Sequence, residues 1–390
     1  MAIQGNQISS FTETIKSMRD IIITNIVLTG QIPAPTFEEE QKAAMLLERF
    51  SIAGVDHCTT DGIGNPIGII RGNDRQKPPI FVVAHLDTVS DKDVDHNYMV
   101  KKNTIVGPGV LDNSVGIGVL ASLPDLFRGL GLSFDSDIVL AGVVRSIGKG
   151  NLEGIKFLLD HWKGPIRGAV CLEGHKLGRL SYGSEGLRRC EVECTVYPGP
   201  SLKHRYPPNA IIVLNEVINQ ILQMRFPLRP MTRVMIGIIS GGLKHGNAAR
   251  SARLGFEIQS DSPGMVKDVS DRISDILEGM AHEYRVNLKL KIISEQLPAR
   301  LEFTHPLVKA ALNCIKALRL EPVVIPSESE LSAFLAKDIP AVTLGITYGE
   351  ESSPPGLSKI RIDTMFRGIA QIVGVIKAID SGVCDEQGVD

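Results

Sequence analysis

Three carboxylates and one histidine stand where runs of β-forming residues give out, and such positions can reach a ligand. His85 and Asp87 come at the end of Ile80-Phe-Val-Val-Ala-His-Leu-Asp-Thr-Val89. Two residues apart on a strand, they point to the same side. Glu173 follows Gly168-Ala-Val-Cys-Leu172, and Asp112 closes the glycine-bounded loop Val106-Gly-Pro-Gly-Val-Leu-Asp. A histidine with nearby carboxylates suits a divalent metal. Taken singly, each has a plainer reading. His85 could be a strand-end histidine bonded to Asp87, and Asp112 could cap the apolar helix that follows it.

The elements that must position these residues read clearly. The run from Ile80 is apolar without alternation, which predicts a strand buried on both faces of a helix-covered sheet. Residues 10–28 carry apolar side chains at helical spacing. After Pro33-Ala-Pro35, Thr36-Phe-Glu-Glu-Glu predicts a capped helix opening at Thr36 and closing on Gly54. Asp61-Gly-Ile-Gly-Asn reads as a turn between short strands. Residues 137–144 and 168–172 are further buried strands, with helices expected in the apolar run that follows Asp112 and at 152–159. Strand and helix alternate to about residue 183, which argues a largely parallel sheet.

The texture then changes. Strands at 187–196, 234–239, 252–259 and 285–293, with helices at 209–222 and 263–282, give a β-α-β-β-α-β order resembling a ferredoxin-like insert. Helices at 305–317 and 362–379 and strands at 323–325 and 341–344 return to the first texture. The expected organisation is an α/β domain of residues 1–183 and 298–390, interrupted by a lid of residues 184–297.

Composition narrows the partners. Lys and Arg number 42 against 44 Asp and Glu, a net charge of -2, which leaves no basic footprint for nucleic acid and gives no reason to invoke a membrane surface. Small molecules are the expected partners. Cys58, Cys171, Cys190, Cys194, Cys314 and Cys384 are scattered without a metal or disulfide pattern, so a reducing cytoplasm is expected. Cys171 within Val-Cys-Leu reads as buried and inert. The first twenty residues lack a basic segment followed by a long apolar one, and no stretch of about 18 apolar residues runs uninterrupted. A soluble protein is the expectation.

Together, His85-x-Asp87, Gly107-x-Gly-x-x-Asp112 and Glu173-Gly174, in this order around an inserted small domain, resemble the M20 family of zinc metallopeptidases and deacylases. Gly150-Asn-Leu-Glu-Gly, Gly241-Gly242 with Asn247, Ile339-Pro-Ala-Val-Thr-Leu-Gly and Ala378-Ile-Asp-Ser-Gly join the resemblance. That family includes carboxypeptidases, dipeptidases, tripeptide aminopeptidases and acetylornithine or succinyl-diaminopimelate deacylases. The resemblance implies a zinc-exopeptidase-like domain with a ferredoxin-like lid, pairing of two copies through that lid, and two zinc ions bridged by an aspartate and a water. Carried over by position, His85, Asp112 and Glu173 hold one ion, Asp112 being the bridging carboxylate. Asp87 orients His85 and raises its basicity.

The sequence departs from that pattern where the chemistry is done. The family's Glu-Glu-Gly-x-Gly-Asn-Leu-x-Gly reads here Ser146-Ile147-Gly148-Lys149-Gly150-Asn151-Leu152-Glu153-Gly154. Ser146 stands in the general-base position and Ile147 in that of a ligand to the second ion, and neither side chain can do the work. The other ligand of that ion, a histidine, aligns with Pro354. In the lid, Gly-Gly-His-Ser becomes Pro198-Gly199-Pro200-Ser201, with His204 close but offset. The arginine that takes a substrate carboxylate becomes Gln259. Asn247 and Gln259, with His204, remain the substrate-contact candidates.

Zero or one zinc ion is therefore expected rather than two, and ordinary two-ion peptidase activity should be absent or very weak. The leading reading is a protein of this fold turned to a different reaction or to binding a small molecule, peptide or N-acyl amino acid. A one-zinc amide hydrolase with a recruited acid or base is the second, with His175, Glu185 and Glu350-Glu351 as candidates that read equally as solvated loop residues. A subunit role beside an active homologue is the third. Lys203-His204-Arg205 could hold an anion, but reads more simply as a solvated loop.

Overall fold

In the computed structural model, residues 5–197, 208–327, 329–351 and 357–385 are described. The chain forms two compact units, Met1–Ser184 with Arg300–Asp390, and Glu185–Ala299.

The first unit is built on an eight-stranded sheet whose strands follow the order His57–Thr60, Pro66–Ile70, Ile138–Val143, Ile80–His85, Gly168–His175, Ala341–Thr347, Arg179–Ser181, Val323–Val324. The four strands from Ile138–Val143 to Ala341–Thr347 run parallel. Strand Ile80–His85 is buried along its whole length, as its unbroken apolar run requires. Ile80, Val82 and Ala84 join the main core on one face. On the other, Phe81 packs edge-on against Trp162 at 4.8 Å and Phe334 at 6.2 Å. By strand alternation His85 lies on the Phe81 side, the side of the short helix Leu331–Leu335.

Helix Val115–Gly129 packs on the central strands with twelve buried residues, and Ile362–Asp380 is buried nearly throughout. The stretch Val110–Gly129 is the one helix among the described residues long and apolar enough to cross a membrane, and it is largely buried in this core. It was not visible as an uninterrupted apolar run because Asp112, Asn113 and Pro124 punctuate it.

The second unit is an antiparallel sheet in the order Thr232–Gly241, Ser251–Ser260, Gly186–Thr195, Asn287–Gln296. Helices Ala210–Gln223 and Pro263–Tyr284 cover one face with their own core. This is the ferredoxin-like order expected from the sequence. Asn209 and Ser262 cap the two helices through bonds from Ile211 N and Met265 N.

Two local expectations fail. The helical stretch at 10–28 is two helices, Gly5–Ser17 and Arg19–Gly30, because Met18 N bonds back to Ile15 O in a tighter turn. The next helix begins at Glu40, not Thr36. The Thr36 hydroxyl is taken by Asp87, and Glu39 Oε1 accepts from Phe37 N and Arg145 N instead. A small sheet of Met99–Val100, Thr104–Pro108, Leu357–Arg361 and Gly349–Glu351 also escaped the sequence reading.

Candidate metal centre

His85 ends its strand, Glu173 lies in the neighbouring parallel strand, and Asp112 sits in the turn Val110–Ser114 between them and the core helix. One ligand atom from each, a ring nitrogen and two carboxylate oxygens, falls within 4.8 Å of the others. Two short ties hold the turn in place. Asn113 Nδ2 donates to Leu172 O at 2.8 Å, and Leu111 N donates to Ser358 Oγ at 3.1 Å. Glycine at 174 is required here, since a Cβ would lie 1.9 Å from Leu111 O. Asp112 therefore does not cap the following helix: Ser114 is the cap residue, and the Asp112 carboxylate faces His85.

The orientation of His85 follows from its neighbours. Nδ1 lies 2.9 Å from Asp87 O and 3.4 Å from Asp87 Oδ1, both acceptors, so Nδ1 carries the proton. Nε2 is left facing Asp112 Oδ1 at 3.2 Å. Burial disfavours the imidazolium, but bonds to Asp112 and Asp87 outweigh it and lift His85 well above its ordinary value. Burial likewise works against ionised Asp87, yet His85, the Ile147 amide and Thr36 hold it below the usual range. Burial raises Glu173, with Asp112 and Glu330 adding to the rise against the relief from His85 and Arg179. Asp112 is held low by His85 and Arg179 against its burial.

Asp87 is wholly buried and is fixed from three sides. Ile147 N donates to its Oδ2 at 2.7 Å and Thr36 Oγ1 at 2.9 Å, while Lys42, itself 1% exposed, lies near it and Glu39. Burial drives the Lys42 amine down to about 8 in spite of those two carboxylates.

Ser146 is half-buried, and its hydroxyl donates to Glu330 Oε1 at 2.7 Å. Glu330 is fully buried, and its Oε2 has no hydrogen-bond partner among the described residues. Its charge acts on His85, Glu173 and Cys171 alike. Sequence reasoning missed Glu330, Arg179, Thr36 and Lys42. The available hint for Glu330 was an acid at the start of a short apolar helix, which ordinarily reads as a dipole partner.

Of the other expected residues, Glu351 comes within reach of the Asp112 charge. Glu350 pairs with Lys359, Glu351 is raised by burial and by Asp112, and His175 is exposed. In the second unit, Glu185 is 3.7 Å from Arg233, and Gln259 Oε1 accepts from Arg233 Nε at 2.5 Å. Asn247 is exposed in a turn. His204, Pro354 and the 198–201 segment lie outside the described residues. Cys171 is buried, and burial raises its thiol well above normal, in keeping with an inert core cysteine.

A nitrogen and two carboxylates are a hard-to-borderline donor set that fits zinc and leaves further positions free. Asp112 keeps the approach open, its side chain being 51% exposed.

No known protein-family profile matches the sequence, and no curated protein matches it. Solved structures do. The dipeptidase Dug1p of Saccharomyces cerevisiae superposes with a TM-score of 0.77 at 13% identity, covering 96% of this chain and 98% of that one. Aminopeptidase PepT of Bacillus cereus gives 0.70 at 16% identity, over 93% and 98%. YxeP of Bacillus subtilis, described as a dinuclear metal-binding peptidase of the M20 family, gives 0.62 at 12% identity, over 92% and 99%. Likeness at such identities carries the fold.

Proposed function

We propose that this chain, whose fold is that of the M20 metallopeptidases, holds a single divalent ion, zinc by its donor set, and works as a non-canonical amide hydrolase on a small peptide or N-acyl amino acid. The observation that carries this reading is the convergence of His85, Asp112 and Glu173 within 4.8 Å. Three such ligands with a free position are the make-up of an open, catalytic type of site. His85 Nε2 and the two carboxylates would hold the ion, and Asp87 would keep Nε2 turned toward it. Bound there, a divalent ion supplies Lewis-acid polarisation of a carbonyl oxygen.

A second ion finds less support. Ile147 brings a hydrocarbon side chain and Pro354 no donor to the positions where the resemblance puts the other two ligands. The test is elemental analysis after zinc exposure. One ion per chain is expected, lost on His85→Ala and on Glu173→Ala, and two ions at full occupancy would overturn the reading.

A small-molecule binder of this fold is the alternative, and an ion-loaded protein that binds but never cleaves its ligand would select it. Pairing of two copies through the second unit is part of the proposal. Strand Thr232–Gly241 ends that sheet and leaves Met235, Ile238 and Ile239 about half exposed, at 52%, 51% and 53%. A cytoplasmic location is supported by six unpaired cysteines.

A further inference from the structure

We propose that Glu330 is the proton acceptor of this site, with Ser146 holding it in place, so that the carboxylate absent from position 146 is supplied by a different segment of the chain. The inference rests on the single-ion reading and names the residue that would make that site work.

Three observations carry it. Ser146 Oγ donates to Glu330 Oε1 at 2.7 Å, so the two side chains meet although 184 residues separate them in sequence. Glu330 is fully buried, yet its Oε2 has no hydrogen-bond partner among the described residues. An unpaired buried carboxylate oxygen disfavours folding, and a catalytic role is one of the reasons a fold keeps one. Glu330 also lies on the ligand side of the sheet. Phe334, one turn along the same short helix, packs on Phe81, whose face of the strand His85 shares. The charge of Glu330 reaches both His85 and Glu173.

The turn that presents Glu330 is held independently of Ser146. Ser327 N donates to Gly183 O at 2.9 Å, Thr343 Oγ1 donates to Ser327 Oγ at 3.4 Å, and the Ser327 and Ser329 hydroxyls are 2.9 Å apart. The carboxylate thus arrives on a braced loop, with one oxygen engaged by Ser146 and the other free. The bond to Ser146 leaves Oε2 as the reactive oxygen.

In the reaction, the oxygen of a water bonds to the amide carbon while Glu330 Oε2 takes one of its protons. The C–N bond then breaks, and the nitrogen leaves with the proton that Glu330 returns. The products are a carboxylic acid and an amine, and Glu330 is restored as a carboxylate.

The test uses the zinc-loaded full chain with a panel of dipeptides and N-acetyl amino acids. Glu330→Gln should bind zinc with unchanged stoichiometry and an affinity within about threefold of the parent, while kcat falls about 10²–10⁴-fold with little change in KM. Glu330→Asp should retain part of the rate. The double variant Ser146→Glu/Glu330→Gln should regain at least about tenfold over Glu330→Gln, because a carboxylate then returns to the same place from the other side. Full activity in Glu330→Gln overturns the proposal, as does loss of zinc from it, which would make Glu330 a ligand. Zinc uptake by the parent with no turnover of any panel member also overturns it and leaves the single-ion site standing. Failure of the parent to take up zinc removes the single-ion reading itself.

Discussion

The amide of Ile147 donates to Asp87 Oδ2 across 2.7 Å, so the loop that carries Ser146 and Ile147 fixes the carboxylate behind His85. The donor is a backbone N–H, so the bond does not depend on which side chain stands at position 147. Substituting Asp87 by Ala should therefore weaken zinc binding about 10–100-fold, as loss of a ligand-orienting carboxylate does elsewhere. Competition with a chromophoric chelator measures this, and unchanged affinity would show that Asp87 does not orient His85.

The pH dependence of ion uptake follows from His85. In the metal-free protein its folded value is raised above the ordinary 6.5 by Asp112 and Asp87, against its burial. The stability this gives is complete below pH 6.5 and is lost as pH rises through the raised value. Zinc must displace that proton, so its apparent affinity should climb about tenfold per pH unit until the raised value is passed. Zinc titrations between about pH 6 and 9, a range that spans the ordinary imidazole value, check the slope. A flat profile would mean that His85 is already neutral.

Gly174→Ala is expected to disturb the proposed ion site without touching His85, Asp112 or Glu173. The added Cβ would sit 1.9 Å from Leu111 O, so the turn carrying Asp112 must move away from the strand carrying Glu173. A cost of about 1–3 kcal/mol is expected from overpacking of this kind, together with weakened zinc binding. Urea unfolding read beside a zinc titration separates the two effects.

Arg167 should matter to stability alone. It is buried, donates to both carboxylate oxygens of Asp385 at 2.7 and 2.6 Å, and reaches Ser136 Oγ and Asp380 O, each at 2.9 Å. Arg167→Ala removes a cation 3.8 Å from Asp380 Oδ1, a carboxylate that Lys377 and the Asp135 and Ser136 amides still face, and should cost about 3 kcal/mol. Zinc stoichiometry should stay the same.

Ile238→Lys with Ile239→Lys should leave the second unit folded, since both side chains lie about half exposed outside its core. Sedimentation should then show a shift from paired to single chains. A parent that sediments as a single chain would remove the pairing proposal.

What could be read from sequence divides by how local the signal is. Ile80 to Asp87 states its own strand, its burial and its terminus, and the strand holding Cys171 does the same for Glu173, so the ligand candidates were visible as ends of apolar runs. Alternation in residues 187–296 likewise disclosed the ferredoxin-like unit. Thr36 was misread because a hydroxyl three residues before a glutamate has two uses, and the long-range bond to Asp87 prevailed over the cap. Glu330 left no such trace. It sits in the polar stretch Ser327–Glu330 without periodicity, and its partner Ser146 belongs to another loop. Strands of two or three residues, such as Met99–Val100 and Gly349–Glu351, are too short for any pattern to declare them.

His85 and Glu173 belong to adjacent parallel strands, bonded to each other from Ile80–Gly168 to Val83–Cys171. Their separation is thus set when the sheet closes, long before any ligand arrives. An incoming cation would meet a cage of settled dimensions, and little chain entropy remains to be surrendered at that moment. Capture should follow a single exponential whose rate tracks how fast each metal sheds its own hydration water, with slowly dehydrating ions lagging behind quick ones.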